Sequence, residues 1–438
     1  MTTAVPDLTA PRTAKALRSS ETVLDNGLRV VAVRKPGVPL VEVRLRMPFL
    51  SAKPAHPAQA SLLADALLTG AGGLDRAALA GAVQRLGGEL STSVDADRLV
   101  LVGNVLGTNL KPLLGLIASV VTEPDYAKDE VAIERDRLIE KLTIARSRPS
   151  FFASEALAKR MFGDHPYALE TPEADAVGAV TPGQVRALHK GLVRPGAAVL
   201  VLVGDVTPAR MLDLASAALG EWRGPAPRSS VPPLPEVQPA PLLLIDRPGS
   251  VQTSLRMGRL ALSRLDPGYP ALQLANLIFG GYFSSRWTEN IREDKGYTYG
   301  PHSRVDHHAL GSTLTLDVEV ATEVTGPAVL ETQYELGRIA SLPVTEAEVD
   351  AVRQYAIGTL ALSIATQAGL ASTLSALSPH GLGLDWIRDH PARLIKTTVE
   401  DVSAAAAEFF APSQLCAVAV GDAATIAGPL QALGSVET

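Results

Sequence analysis

The sequence predicts an α+β protein built from two homologous halves, each a mostly antiparallel sheet with helices packed on one face. Three observations support this prediction. Helical and strand-like apolar patterns alternate along the chain, a stretch with seven prolines interrupts them near the middle, and landmarks found before that stretch recur after it. The chain has 438 residues, which is also too long for one hydrophobic core.

The first half, residues 1–223, contains a hairpin signal, because two short apolar runs within 22–33 surround Asp25-Asn26-Gly27. Residues 40–47 alternate apolar and charged side chains, as a half-buried strand does. Thr181-Pro182 is a typical helix start. The other predicted elements of this half are helices at 57–68, 76–86, 110–122, 128–145, 151–161 and 181–192 and strands within 89–106 and 197–203.

Residues 224–241 hold the seven prolines and have little apolar periodicity, which predicts an extended, semi-rigid linker. The second half, residues 242–438, then restarts the same alternation. We predict strands at 242–245, 252–259, 311–320 and 415–420 and helices at 270–279, 325–339, 346–365, 370–377 and 399–410.

The two halves share landmarks at nearly constant offsets, which indicates an internal duplication. Gly204-Asp205 ends an apolar strand in the first half, and Gly421-Asp422 ends one in the second, 217 positions later (421 minus 204). Residues 64–70 likewise precede the similar residues 275–281 by 211 positions. We therefore predict two related domains of typical size on either side of the linker.

Composition excludes several classes of function. The 40 basic and 46 acidic residues give a net charge of −6, so nothing favours nucleic acid or an anionic membrane as a partner. The single cysteine, Cys416, lies in an apolar run and is predicted to be a buried strand residue. The first twenty residues lack the apolar core of a secretory signal, and no apolar run is long enough to span a bilayer. We therefore expect a cytoplasmic protein.

The most informative stretch is 279–299. It opens with Gly280 and Gly281, which permit backbone that larger residues resist. A helical segment follows and carries Arg292, a permanent donor whose planar fork suits a carboxylate or a polarised carbonyl. After the turn at 295–296, residues 297–299 are predicted to start a strand, which would bring the phenol of Tyr299 into the same space.

Several segments together resemble the insulinase/pitrilysin zinc metallopeptidase family, in its short bacterial two-subunit form and in the related mitochondrial processing-peptidase subunits. They are LDNGLRVV at 24–31, FGDHPYALETPE at 162–173, the two strand-Gly-Asp ends, and GGYFSSRW with IREDKGYTYG over 280–300. The resemblance covers nearly the whole chain.

Active members of that family carry the motif H-x-x-E-H on an early helix, with a further Glu on a later helix completing the zinc site. In this chain the motif positions hold Ser61, Ala64 and Asp65, and the later Glu is matched by Thr143, with Glu140 close by. Catalytic zinc needs three ligands and an open position. The resemblance therefore implies that this chain binds no zinc and has no peptidase activity of its own.

The second half contains matches to the family's substrate-contacting residues, whereas the first half lacks matches to its zinc ligands. The resemblance implies that Arg292 and Tyr299 contact the substrate backbone and the developing oxyanion at the zinc of a partner subunit. It also implies substrate contacts for Gly280, Gly281, Phe283 and Ser284. The expected function is that of a non-catalytic subunit, paired with a zinc-bearing homologue in a heterodimer that cleaves short unfolded peptides.

Two alternatives stay open. The chain could be an inert scaffold or peptide-binding protein, resembling respiratory-complex core subunits, or an enzyme with an atypical metal site using His56, Asp65 or Glu140. His307 and His308 are neighbours on a predicted strand and face opposite sides, so they cannot share an ion. His165 is predicted to fix a turn, and His189, His302, His380 and His390 are expected to be core or solvated residues. Hydrolase, NTPase and dinucleotide motifs are absent.

Overall fold

The computed structural model describes residues 17–169, 171–227 and 231–438, and it contains two six-stranded sheets with helices around them. The first half supplies strands β1 (Arg18–Val23), β2 (Arg29–Arg34), β3 (Leu40–Pro48), β4 (Gly70–Ala71), β5 (Leu74–Asp75), β6 (Glu89–Val94), β7 (Arg98–Leu106) and β8 (Val199–Gly204). Its helices are α1 (His56–Ala66), α2 (Arg76–Arg85), α3 (Leu110–Thr122), α4 (Lys128–Arg146), α5 (Pro149–Phe162), α6 (Ala174–Gly178), α7 (Pro182–Leu192) and α8 (Pro208–Leu219).

The second half supplies strands β9 (Leu242–Asp246), β10 (Gln252–Ala261), β11 (His302–His308), β12 (Gly311–Ala321), β13 (Cys416–Gly421) and β14 (Val436–Glu437). Its helices are α9 (Tyr269–Asn276), α10 (Arg286–Thr288), α11 (Thr325–Ser341), α12 (Glu346–Ser363), α13 (Gln367–Leu377), α14 (Leu384–Lys396), α15 (Val399–Phe409) and α16 (Ala423–Gln431). The predicted α+β class is confirmed. The predicted domain limits, 1–223 and 242–438, stay a prediction.

The two sheets have the same strand order, as the duplication predicts. The first runs β6-β7-β3-β8-β2-β1 and the second β11-β12-β10-β13-β9-β14. In the first sheet β8 and β2 form the single parallel pair, and the matching pair β13 and β9 is parallel in the second. Only the last strand differs, since β1 is antiparallel to β2 while β14 is parallel to β9. Both sheets are therefore mostly antiparallel.

Each half lends one helix to the sheet of the other half. Helix α13 packs on β3 and β8 of the first sheet, where Leu370 and Leu374 join Val199 and Val201 in one apolar cluster. Helix α5 packs on β10 and β13 of the second sheet in the same way. Strand β8 is thus buried on both faces, which explains why its sequence is an uninterrupted apolar run.

A buried polar contact also joins the halves. The hydroxyl of Tyr167 donates to Asp97 Oδ1 at 2.5 Å. The backbone N–H of Ala309, in the turn between β11 and β12, donates to Asp97 Oδ2 at 2.8 Å. The next amide, that of Leu310, donates to the Tyr167 oxygen at 3.1 Å. Burial and the Asp97 carboxylate both raise the pKa of the Tyr167 phenol, so it stays protonated and donates.

The described part of the linker contains no helix or strand and lies on the protein surface. Leu234 and Val237 pack against the cluster formed by α5 and β13. Cys416 is buried and unpaired, as predicted, and its thiol donates to the carbonyl of Gln238 at 3.6 Å. His165 bonds the amide of Tyr167 and contacts the carbonyl of Pro232, so it fixes a turn as predicted and also meets the linker.

Four helices and one strand start differ from the sequence prediction. Helices α6, α8, α14 and α16 are additional, and the internal prolines Pro391 and Pro429 obscured the helical pattern of the last two. The strand predicted from residue 297 begins at His302 instead. The cause is local, because the amide of Tyr297 bonds the carbonyl of Ile291 and so continues the preceding turn.

Among the described residues, no individual helix combines the length and hydropathy needed to cross a bilayer. The consecutive segments Glu346–Ser363 and Gln367–His380 reach these values only jointly, and they are bent by 108°.

Candidate functional site

The positions matched to the zinc motif lie on α1, which packs against α4 and β6. Ala64 is 3% exposed and its carbonyl accepts from the hydroxyl of Thr92. Asp65 is half-buried, and its Oδ2 lies 3.4 Å from Lys141 Nζ on α4. Burial raises the pKa of Asp65, Lys141 opposes that effect, and Glu134 adds to it. An ammonium group therefore occupies the space beside the one remaining carboxylate.

The prediction that Thr143 stands opposite this motif is wrong. The residue of α4 that contacts Asp65 is Lys141, whereas Thr143 is exposed and its hydroxyl donates to the carbonyl of Ile139 in its own helix. Glu140 is exposed as well. Each residue turns an α-helix by about 100°, so neighbours of Lys141 point to other sides. The register assumed from the sequence was shifted by two positions.

These side chains do not fit zinc. Ser61 is a poor ligand, Ala64 carries no general base, and the ammonium of Lys141 would repel a divalent cation bound by Asp65. Within the described ranges, no three His, Cys, Asp or Glu residues are placed to hold a metal ion. The hypothesis of an atypical site from His56, Asp65 and Glu140 is therefore not supported by their positions.

The second candidate region begins where α9 passes into a π-helical turn, Leu277–Gly281, and α10 continues as another, Glu289–Asp294. Such turns are rare and occur often at functional sites. Gly280 is buried, and a Cβ there would lie 2.9 Å from the ring of Trp287 and from the Ser303 hydroxyl. At Gly281 it would lie 2.6 Å from the amide nitrogen of Asn276. Both glycines are thus required for close packing.

This burial bears on one predicted role. Gly280 is buried, so little of its surface is open to the substrate contact predicted for it. Gly281 is half-buried, while Phe283 and Ser284 are exposed. A substrate role for these three residues stays a prediction.

Arg292 is held against an exposed aromatic ring. Its guanidinium carbon lies 4.2 Å from the centre of the Phe283 ring, which is 63% exposed. A second contact, 3.4 Å long, joins it to the carboxylate of Glu293. The side chain keeps 29% of its surface exposed. Stacking on an aromatic face restricts the guanidinium without using its N–H donors.

Tyr299 projects from the same turn and is 96% exposed. The backbone around it is anchored, because the hydroxyl of Thr298 donates to the carbonyl of Glu319 at 2.6 Å and accepts from the amide of Gly300. The bond from Tyr297 to Ile291 closes the turn. Arg292 therefore lies inside this ordered turn, one residue after Ile291, and Tyr299 follows the end of the turn by two residues.

An ion pair that the sequence analysis missed supports this region. Arg286 donates through Nε and Nη2 to both oxygens of Glu348, at 2.6 and 2.9 Å. Glu348 also caps α12 together with Thr345. Burial alone would raise the pKa of Glu348, but the bonds from Arg286 and Thr345 outweigh it and lower the pKa to about 2. The capping pattern T-x-x-E was the available sequence signal.

The histidines have the separate environments expected of structural residues. His307 contacts the Ser312 hydroxyl, while His308 lies 3.9 Å from Asp97, so the two do not share a neighbour. His189 is a buried core residue that bonds Tyr126 and the carbonyl of Val121. Burial lowers its pKa to about 4, so it is neutral at pH 7.

Comparison with known proteins gives consistent matches. A family model described as the peptidase M16 inactive domain matches residues 179–355. An uncharacterized zinc protease of Mycobacterium bovis is 27% identical over 399 residues, which cover 90% of this chain and 91% of that protein. A probable inactive metalloprotease of Bacillus subtilis is 26% identical over 210 residues, covering 46% of this chain and 48% of that protein.

A solved structure supports the same relationship. The crystal structure of a peptidase M16 inactive domain from Pseudomonas fluorescens has a TM-score of 0.85 and 26% sequence identity. The match covers 92% of this chain and 98% of that one.

Proposed function

We propose that this chain is the non-catalytic subunit of a heterodimeric zinc peptidase, because it is similar to the peptidase M16 inactive domain and resembles the insulinase/pitrilysin family. The partner in this proposal is a zinc-bearing homologue, and the substrates are short unfolded peptides. A cytoplasmic location stays part of the proposal.

One contrast within the chain carries this proposal. The motif positions on α1 hold an Asp65–Lys141 ion pair in place of metal ligands. In the second half, Arg292 and Tyr299 project from an ordered turn whose backbone is tied to β12. A restrained guanidinium and an exposed phenol, seven residues apart in the chain (299 minus 292), suit a site that a partner completes.

The chemistry suits a site completed by the partner. Arg292 can donate two parallel hydrogen bonds to a peptide carbonyl or to the oxyanion that develops from it. The phenol of Tyr299 adds a further donor. Donors fixed in place before the reaction stabilise the developing charge at little reorganisation cost. This chain would therefore supply positioning and charge stabilisation, while the partner supplies the metal-bound nucleophile.

The experiment is to purify the chain alone, the zinc-bearing homologue alone and the two co-expressed chains, and to assay an internally quenched peptide. We expect a 1:1 complex by size exclusion with light scattering and cleavage by the complex that exceeds the homologue alone. A complex that forms without raising cleavage would favour the inert scaffold. Failure of the two chains to associate would overturn the heterodimer.

A further inference from the structure

A groove in the first half lies between the start of α1 and helix α7, and its lining includes neither the Asp65–Lys141 pair nor Arg292. It has a volume of about 640 Å³, which is within the range of small-ligand pockets. One wall is the segment 50–54 before α1, and the other is a face of α7. The residues lining it are Leu50, Ser51, Ala52, Lys53, Pro54, His56, Gln59, Gln184, Ala187, Leu188, Gly191 and Leu192. We call this feature the α7 groove.

The α7 wall is a regular helical stripe. Gln184, Ala187, Leu188, Gly191 and Leu192 follow the spacing i, i+3, i+4, i+7 and i+8, which puts them on one face. Small side chains at 187 and 191 leave the space open, and the two leucines make its surface apolar. The groove is therefore a product of helix composition and is suited to an apolar chain.

His56 is a buried polar side chain in the lining of the groove. It is 6% exposed, and among the described residues neither ring nitrogen makes a hydrogen bond of normal geometry, although the Phe49 backbone lies near enough to affect its pKa. Its ring packs on Phe49 at 5.5 Å between centres and also borders a narrower cleft next to Ser61. Burial lowers its pKa, the nearby Phe49 backbone opposes this, and Lys53 lowers it further. A neutral, buried imidazole thus offers one donor and one acceptor at the groove.

The charged residues that line the groove favour a ligand with a negative charge. Lys53 is the single ionic side chain among the lining residues other than His56, and no carboxylate is present there. Ser51, Gln59 and Gln184 add polar groups that can donate. The groove also includes the first turn of α1, where the helix dipole favours negative charge. An anion with an apolar body matches this combination.

We propose that the α7 groove binds the free C-terminal carboxylate of a short peptide with apolar last residues. The carboxylate would lie near Lys53 and His56, and the apolar side chains would lie along Leu188 and Leu192. This inference rests on the proposed function for the choice of peptide as ligand. The proposed function alone does not specify this preference, which is for substrates or products whose C-terminus can reach the α7 groove.

The test uses the purified full chain without any partner, so its failure is separate from failure of the heterodimer. Calorimetry or thermophoresis would compare the peptide acetyl-Ala-Leu-Ala-Leu with its C-terminal amide. We expect the free acid to bind at least about tenfold more tightly, since it alone forms charge-assisted hydrogen bonds. Equal affinity of the two forms, or no binding of either, would overturn the proposal.

Variants locate the site. Ala187→Trp lies on the exposed face of α7, so it should fill the groove, leave the fold intact and abolish binding. Lys53→Ala should weaken the binding of the free-acid peptide by about tenfold and leave the binding of the amide unchanged. The matched control is Lys190→Ala, an exposed lysine of the same helix outside the lining. Unchanged binding by Ala187→Trp, or equal losses in the two lysine variants, would place the ligand elsewhere.

His56→Phe separates a binding role from a structural one. The phenyl ring keeps the packing on Phe49 but removes both buried nitrogens, so we expect a higher melting temperature together with weaker binding of the free acid. A lower melting temperature with unchanged binding would mean that His56 serves the fold only. Tighter binding of decanoate than of the peptide would show that the groove recognises a fatty carboxylate and would overturn the assignment to peptides.

Discussion

At the scale of single residues, the ammonium group of Lys141 lies 3.4 Å from the carboxylate of Asp65, where the resemblance expects a metal ligand. Ser61, Ala64 and Asp65 are visible as a degenerate motif because spacing within one helix is fixed. Lys141 is more than seventy residues away, and only the packing of α4 on α1 determines which of its side chains meets Asp65. An error of two residues in that register changed the assigned neighbour from a lysine to a threonine.

The register on α4 can be tested by building a site. The triple variant Ser61→His, Asp65→His and Lys141→Glu places two imidazoles one turn apart and a carboxylate against them, which are the ligands zinc needs. We expect it to retain about one equivalent of zinc after dialysis. The matched variant with Thr143→Glu in place of Lys141→Glu should retain far less. The reverse order would contradict the structural register.

The Arg286–Glu348 pair makes a prediction about pH. Glu348→Gln removes a charged acceptor of two short bonds, so unfolding at pH 7 should cost about 2 kcal/mol less than in the parent protein. The folded-state pKa of Glu348 is lowered to about 2 from the ordinary value of 4.5, so the carboxylate stabilises the fold above pH 4.5. This advantage should disappear as the pH falls toward 2.

Urea unfolding at several pH values measures this difference. Glu346→Gln is the control, because Glu346 is exposed in the first turn of the same helix. An equal effect of the two substitutions would contradict the role given to Glu348.

At the scale of elements, periodicity predicted most helices and strands, and the failures have local causes. Prolines inside α14 and α16 hid two helices. The strand expected at 297–299 is displaced because the amide of Tyr297 bonds the carbonyl of Ile291 and the hydroxyl of Thr298 bonds the carbonyl of Glu319. Gly280 was predicted to contact substrate, but a side chain at this position would collide with the ring of Trp287. A glycine pair in a sequence indicates that other atoms pack closely against the backbone, but it does not show whether they belong to a substrate or to the protein itself.

The contact between the two edge hairpins should contribute to stability. Tyr167→Phe removes the donor of the buried Asp97 and the acceptor of the Leu310 amide, so we expect a loss of about 2–3 kcal/mol in the free energy of unfolding. Tyr334→Phe, at a tyrosine that is 58% exposed, should change it by less than about 0.5 kcal/mol. Chemical denaturation of both variants checks this. A Tyr167→Phe value within the control's range would contradict the account.

At the scale of the whole molecule, the sequence predicted the duplication but not the exchange of helices between halves. Repeats are visible as recurring landmarks in one dimension. The packing of α13 on the first sheet and of α5 on the second depends on contacts between residues far apart in the chain, such as Val201 and Leu374. The apolar runs of β8 and β13 indicated burial on both faces without naming the element that covers the second face.

This exchange predicts that neither half folds alone. Expressed separately, residues 1–223 would lack α13 and residues 242–438 would lack α5, so each would expose one apolar sheet face. We expect each fragment to aggregate or to unfold without cooperativity, and the two co-expressed fragments to form a 1:1 complex. Size exclusion and thermal unfolding by circular dichroism measure both properties. A sharp, reversible transition in either isolated fragment would show that the halves are independent.

The most direct test of the proposed subunit role is the rate of peptide cleavage by the assembled complex when this chain carries Arg292→Ala. Arg388→Ala, at an exposed arginine of α14, is the control. Loss of a preplaced donor to the developing oxyanion predicts a fall of about 10²-fold in the turnover rate, with assembly unchanged and with full activity in the control. Full activity of the Arg292→Ala complex, measured with intact 1:1 assembly, would contradict the proposal.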